Sequence, residues 1–420
     1  MVQSKAAVLS NFFKVYLMNN GGFSNQLVDH PRIKNMLNFN FYNPTRIIFG
    51  GDTIAKINDY VPTEAKVLML FGGESARKNG TLAEVREALG AREIHEFGGI
   101  EPNPSYETLM KAVELIREQK IDFLMAVGGG SVIDGTKFIA AAVNYTGDAW
   151  EILETHGTKI TQALPFASVL TLPATGSEMN SGGVVTRKST QAKLSFSSPY
   201  VFPQFSVLDP NKTFSLPTRQ LANGVVDAFV HVMEQYLTYP VNAQVQDRFA
   251  EGLLQTLIEI GPKILEDSAD YDTRANLMWA ASMALNGLIG AGVPQDWSTH
   301  LIGHELTALH GIDHARTLAI VLPANLQVRR QEKREKLLQY AARVWQIVEG
   351  DEEQRIDTVI ARTRAFFEQL GLPTRLSDYG LGETDIEIII TQLKSHNLTQ
   401  LGEHKTVSLE ISRQILEMSI

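Results

Sequence analysis

The chain has 420 residues, 44% of them hydrophobic and 20% charged, the balance of a globular protein too long for one ordinary core, so two domains are expected. Its net charge of −9, without a long basic run, argues against a grip on nucleic acid or an anionic membrane. The absence of cysteine excludes disulfides and thiolate zinc sites and fits a cytoplasmic location.

Residues 1–37 read as an extension outside the fold. Its stretch AAVLSNFFKVYLM is interrupted by Lys14, and no small-residue cleavage site follows, so a signal peptide is the lesser reading. Met36 is a candidate start, and the compact pattern begins near Asn38. No apolar run reaches the ~18 residues expected of a membrane span.

From 38 to 213, short apolar runs alternate with helical patterns. Arg46–Phe49, Lys66–Phe71, Phe123–Val127 and Ser168–Leu172 read as buried strands, each closed by Gly, Pro or Thr. Tyr106–Gln119 carries Leu109, Val113 and Ile116 at helical spacing. Continuous apolar strands alternating with helices predict an α/β domain with a parallel sheet. After Ser206–Pro210 the pattern becomes helical, giving an all-α domain over 214–420. Its predicted helices are Leu221–Tyr239, Gln244–Ile260, Arg274–Leu288, Glu332–Val348 and Glu352–Leu370. The mixed charges of Arg329–Lys336 read as a solvated helix face. No internal repeat and no low-complexity segment is visible.

Phe123–Val127 runs into Gly128, Gly129, Gly130 and Ser131, after which a helix begins. Such a turn presents bare N–H groups at a helix N-terminus, where a pyrophosphate can approach closely. It is neither the G-x-G-x-x-G fingerprint nor a P-loop, so spacing alone does not name the ligand. A second small-residue loop, Thr171–Glu178 with Thr175 and Gly176, follows another strand. A third, Gly72, Gly73, Glu74 and Ser75, follows the strand ending at Phe71. Hydroxyls and glycines at carboxyl ends of strands are placed to meet a nucleotide.

Asp227 and His231 share one face of an otherwise apolar helix, where a buried carboxylate is costly unless paired or metal-bound. Four more histidines, His300, His304, His310 and His314, follow within fifteen residues. His300 and His304 read as sharing a helix face, and so do His310 and His314. One Asp with three His suits Zn²⁺ or Fe²⁺ with room for a substrate oxygen. Spacing does not choose among the four downstream histidines. His304-Glu305 is not the metalloprotease H-E-x-x-H, because position 308 is alanine.

GGGSVID with Lys137, ATGSE, GVVDAFVH and the spaced histidines closely resemble the iron-containing (group III) alcohol dehydrogenases, from about Asn38 to the C-terminus. Within that family the similarity is to the butanol-dehydrogenase-like branch and its NADPH-dependent aldehyde reductases. The resemblance implies a Rossmann-like cofactor domain followed by a helical metal-binding domain, in a dehydroquinate synthase-like fold with the active site between them. It implies one divalent metal per subunit, Zn²⁺ or Fe²⁺, on Asp227, His231, His300 and His314. His304 is implied as a catalytic histidine near the nicotinamide. Gly72, Gly73, Ser75, Asn103, Gly128, Gly129, Gly130, Ser131, Asp134, Thr171, Thr175, Asn180 and Lys193 are implied as cofactor-binding. NAD-preferring relatives carry an aspartate where Gly72 and Gly73 stand, so NADP(H) is implied, although Glu74 would oppose a 2′-phosphate. The implied reaction is reduction of short- to medium-chain aldehydes such as butanal. The implied assembly is a homodimer paired through Phe39–Phe49. The alternatives are a carbon–oxygen lyase of the dehydroquinate synthase type, a glycerol dehydrogenase-like enzyme, and a binding protein on an enzyme scaffold.

Overall fold

The computed structural model describes residues 35–266 and 270–420; the signal-peptide reading of the N-terminal stretch lies outside them. Six parallel strands form one sheet: β1 (Arg46–Phe49), β2 (Lys66–Phe71), β3 (Glu93–Phe97), β4 (Phe123–Gly129), β5 (Phe166–Leu172) and β8 (Phe205–Leu208). Their spatial order is β1-β8-β5-β4-β2-β3. An antiparallel hairpin, β6 (Gly182–Arg187) and β7 (Ala192–Ser197), stands apart from it. The helices here are α1 (Ser75–Lys78), α2 (Thr81–Leu89), α3 (Tyr106–Gln119), α4 (Gly130–Ala142) and α5 (Glu151–Glu154).

The period of two along each strand sends alternate side chains into two separate cores. Leu68, Leu70, Leu124 and Ala126 pack with α3 and α4. Val67, Met69, Phe71, Met125 and Val127 pack with α2. Both faces are covered, so the strands read as unbroken apolar runs. The α3 helix has the span its sequence predicts. Ser105 Oγ caps it by accepting from Thr108 N, and Lys120 ends it at φ 56°.

One predicted strand needs correction. Arg46–Phe49 is not buried; it is an edge strand bonded to β8 alone, and Arg46 and Phe49 are exposed. Ile47 and Ile48 pack partly against the two cores, while Phe49, like Phe39, Phe41 and Tyr42, is exposed. Strands β3 and β8 escaped the sequence reading. The first is punctuated by Glu93, His95 and Glu96, and the second is only four residues long.

From Thr218 the chain is helical: α6 (Thr218–Tyr236), α7 (Gln244–Glu266), α8 (Tyr271–Ala284), α9 (Ser298–His310), α10 (His314–Val328), α11 (Arg334–Val344), α12 (Glu352–Gln369), α13 (Glu383–Ser395) and α14 (Leu409–Glu417). A two-residue β pairing, β9 (Gln400–Leu401) with β10 (Val407–Ser408), interrupts them. Helix α6 is the axis of this part, with Val225, Phe229, Val232 and Met233 in its core. Leu37 N donates to Gly292 O (2.9 Å), so the residues just before Asn38 touch the helical part.

The charged run Arg329–Lys336 is solvated only in part. Arg329, Lys333 and Lys336 are buried, and each meets a carboxylate distant in sequence. Arg329 pairs with Asp296 (2.6 Å) and Glu403 (2.6 Å). Lys333 reaches the same two (2.8 and 2.7 Å), and Lys336 pairs with Asp247 (2.8 Å). Lys333 Nζ also donates to Leu237 O (2.6 Å), satisfying a carbonyl at the end of α6.

Gly224 is the point where α6 crosses the loop after β5. A Cβ there would run into the Pro173 carbonyl oxygen, which is backbone and cannot rotate away. Gly224→Ala is therefore expected to cost roughly 1–3 kcal/mol by overpacking. The check is the urea midpoint of the variant, and an unchanged midpoint would contradict this close crossing.

Candidate active site and metal centre

Strands β2 and β4 are neighbours, yet the chain leaves β2 for β3 on one side and continues from β4 toward β5 on the other. In open parallel sheets, such a switch point opens a crevice at the carboxyl ends of the strands. Gly72 and Gly73 stand at the end of β2, and Gly128, Gly129 and Gly130 at the end of β4. Helix α4 starts there with no side-chain cap and no acidic residue in its first turn. Its N–H groups and dipole are thus free for an anion. A Cβ on Gly128 would meet Val132, and one on Gly130 would meet Thr175, whereas a Cβ on Gly73 meets nothing.

The loop over this turn is braced from beneath. Lys137 is fully buried and donates to Ser177 Oγ (2.8 Å), Asn180 Oδ1 (2.8 Å) and Gly182 O (2.6 Å). Burial pushes its ammonium down to about 8. Asp134 accepts from Ser177 Oγ (2.6 Å) and Val184 N (3.0 Å). The side-chain oxygens of Asp134 and Asn180 are thus engaged inside the loop. Thr171 lies on β5 and Thr175 against Gly130. Asn103, at φ 56°, donates its N–H to Ser131 Oγ (3.3 Å) and accepts from Lys193 Nζ (2.9 Å). Lys193 is buried on β7, and desolvation pushes it down to about 8 against the pull of Asp227 and Asp134. Ser75 opens α1, where Arg77 bonds Glu96 (3.0 Å), lies 3.6 Å from the Glu74 carboxylate and stacks on Phe71.

Asp227 and His231 lie four residues apart on α6, both buried. The Nε2 atoms of His231, His300 and His314 stand 3.8, 4.0 and 3.6 Å from Asp227 Oδ1. Asp227 Oδ1, His231 Nδ1, His300 Nε2 and His314 Nδ1 are buried without a hydrogen-bond partner. Donor atoms of Asp227, His300 and His314 also all lie within 4.8 Å of one another. Burial holds His231 and His300 down to about 4, and His304 and His314 well below the usual range. These imidazoles are therefore neutral at pH 7, so the contacts with Asp227 are spacings between potential ligands more than ion pairs. A carboxylate oxygen facing neutral imidazoles, with no donor among them to satisfy it, fits a divalent cation.

His304 lies beside this group, its ring 6.3 Å from His300 and 5.2 Å from His314. His310 and His314 do not share a helix face. His310 ends α9, Gly311 breaks the chain at φ 67°, and His314 opens α10. His310 instead lines a different cavity with Arg219, Arg316 and Tyr379. Asp313, just before His314, accepts from Arg219 (3.0 and 2.7 Å) and Asn223 (3.1 Å). Arg219, Asn223, Asp227 and His231 form one i,i+4 stripe on α6, which thus also anchors the loop that delivers His314.

Sequence reasoning missed Glu234, one turn beyond His231. It is buried, meets His300 Nδ1, and accepts from Thr299 N (2.7 Å) and His300 N (3.2 Å). Burial and the neighbouring Asp296 push its carboxyl upward, while the two N–H groups that it accepts from favour the ionised form. The only available signal was the i,i+7 spacing from Asp227, which does not reveal that α9 packs there.

A glycine-lined crevice at a sheet switch point, beside a buried Asp and three His, fits a metal-dependent dehydrogenase. The chain belongs to the iron-containing alcohol dehydrogenase family, whose model matches residues 44–210 and whose C-terminal model matches 221–417. It is 60% identical to the NADPH-dependent aldehyde reductase YqhD of Escherichia coli, over 91% of this chain and 99% of that protein. It is 37% identical to NADH-dependent butanol dehydrogenase A of Clostridium acetobutylicum, over 91% of this chain and 100% of that protein. The crystal structure of E. coli YqhD superposes with TM-score 0.91 at 59% identity, covering 92% and 100% of the two chains. NADH-dependent butanol dehydrogenase A of Thermotoga maritima superposes with TM-score 0.87 at 34% identity, covering 92% and 99%.

Lowered imidazole values have a pH consequence. Protons compete for His231 and His300 only as the pH approaches about 4, instead of at the ordinary 6.5. Zinc-loaded protein should therefore keep its metal from pH 7.5 to 5.5, measured by metal analysis after gel filtration. Release with a midpoint near 6.5 would contradict this.

Proposed function

We propose that this oxidoreductase is an aldehyde reductase that uses NADPH and one divalent ion, Zn²⁺ or Fe²⁺, on Asp227, His231, His300 and His314. Its substrates are short- to medium-chain aldehydes such as butanal. The observation that carries the reading is the approach of three neutral imidazoles to the donor-free Asp227 oxygen. The 60% identical relative named as an NADPH-dependent aldehyde reductase supports the cofactor and substrate class. The metal supplies Lewis-acid polarisation of a carbonyl and the cofactor supplies hydride.

The residues of the chain bind, orient and move a proton. The α4 N-terminus, with Gly128 to Ser131, receives the pyrophosphate. Thr171 and Thr175 border it, and the Asp134, Lys137 and Asn180 bonds hold the loop shape. Lys193, tethered by Asn103, faces the histidine cluster and orients the ribose end of the cofactor. His304, buried and neutral, serves the proton path at its imidazole nitrogen without being a metal ligand. Asp227→Ala should lose metal and nearly all turnover together. His304→Ala should keep metal and lose ~10²–10⁴-fold in kcat. Loss of metal from His304→Ala would place that residue among the ligands instead.

The cofactor preference rests on the end of β2. Gly72 and Gly73 offer no carboxylate to a ribose, Ser75 adds a hydroxyl, and the Glu74 charge is offset by Arg77. The open space at Gly73 leaves room for the Cβ of a Gly73→Asp variant. NADPH should give the higher kcat/KM with butanal, and Gly73→Asp should swing preference toward NADH. A wild-type preference for NADH would show that Glu74 dominates.

The same reading divides the chain into a cofactor domain over 38–213 and a metal-binding domain over 214–420. It places the enzyme in the cytoplasm, and no described helix is long and apolar enough to cross a membrane. The exposed edge strand β1 with Phe39, Phe41, Tyr42 and Phe49 supports a homodimer, since an uncovered apolar edge invites pairing. Sedimentation at micromolar concentration should give a dimer mass, and a monomer would refute it.

A further inference from the structure

We propose that Glu234 is a positioning residue for the metal centre, holding His300 with Nδ1 protonated so that its bare Nε2 faces the cation. The proposal rests on the four-ligand reading above. Asp227, His231 and Glu234 follow at i, i+4 and i+7, so one helix face carries two ligands and the carboxylate that aims a third. That carboxylate is 2% exposed.

Every group that hydrogen-bonds the Glu234 carboxylate from α9 is a donor or is made one by it. Glu234 Oε1 accepts from Thr299 N (2.7 Å) and Oε2 from His300 N (3.2 Å). Oε2 also lies against His300 Nδ1. With Nδ1–H donating there, the neutral ring has its lone pair at Nε2, which has no partner and stands 4.0 Å from Asp227 Oδ1. The bond made by one imidazole nitrogen fixes what the other can do, and it also makes a ligating imidazole a better donor.

The backbone of the same segment is held as firmly. Asp296 N donates to Glu234 O (2.9 Å), so side chain and main chain of Glu234 together fasten residues 296–300. Between them Trp297 adopts φ 63°, uncommon for a bulky side chain. The Asp296 carboxylate, bound by Arg329 and Lys333, keeps that corner in place. The buried charges of the former "solvated" run thus reach the metal centre through one corner and one carboxylate.

Glutamine is the informative replacement. It has the same shape, but its NH₂ group must face either Thr299 N–H or the two His300 donors, and each choice opposes donor to donor. Zinc affinity of wild type, Glu234→Gln, Glu234→Asp and Asp227→Ala is measured by competition with a chromophoric chelator, and Co²⁺ spectra report the ligand set. Glu234→Gln should bind zinc 10–100-fold more weakly than wild type, with an altered Co²⁺ spectrum. Glu234→Asp, which keeps the charge, should recover part of the loss. In metal-free wild-type protein, the ¹⁵N shifts of His300, assigned through His300→Asn, should show Nδ1 protonated and Nε2 bare. That measurement does not depend on any Glu234 variant folding. Zinc affinity of folded Glu234→Gln within twofold of wild type, or a His300 protonated at Nε2, would overturn the proposal. Failure of the underlying metal reading looks different, because wild type and Asp227→Ala would then bind zinc equally poorly.

Discussion

A carboxylate oxygen buried among imidazoles, with nothing to donate to it, is the constraint around which the helical half of this protein is arranged. Asp227 is 3% exposed, and its Oδ1 has no hydrogen-bond partner. Burying a charge without a partner costs several kcal/mol in real proteins. Three neutral rings nearby offer lone pairs or fixed donors but no full charge. A divalent cation would offset the carboxylate and use those lone pairs at once. Much of the surrounding structure keeps these four side chains from relaxing apart.

That restraint comes from two sides of α6. On one, Arg219 and Asn223 hold Asp313, and the next residue is His314. On the other, Glu234 holds the start of α9, and with it His300. Asp227 and His231 need no such help, since helix geometry already places them on one face. Gly224 on the same helix lets it lie against the loop after β5, which bears Thr175 and Asn180. The Asp–His cluster and the glycine-lined crevice are therefore tied to one rigid element, and Lys193 on β7 interacts with Asp227 on one side and Asp134 on the other.

The sequence revealed most of what depends on period and composition. The central strands were visible because both faces are buried, and α3 because its apolar stripe and caps are regular. Asp227 and His231 could be paired by i,i+4 spacing alone. The glycine run marked the strand-to-helix turn. What depended on tertiary partners was not legible. Arg329, Lys333 and Lys336 look solvated until Asp296, Glu403 and Asp247 arrive from distant segments. The His310–His314 spacing looks helical until Gly311 at φ 67° separates two helices. Glu234 resembles any surface glutamate, and only the packing of α9 gives it donors to meet. Choosing His300 and His314 over His310 needed either the fold or the family resemblance.

Asp227, His231, His300 and His314 are proposed to supply one carboxylate and three imidazoles to a single cation site. X-ray absorption at the zinc edge of the zinc-loaded protein reads that coordination shell directly. Such a site gives nitrogen and oxygen scatterers only, at ~2.0–2.2 Å, with outer-shell scattering from about three imidazoles. A shell of oxygens with one imidazole or none would contradict it, and would mean that the buried Asp227 oxygen is satisfied in some other way.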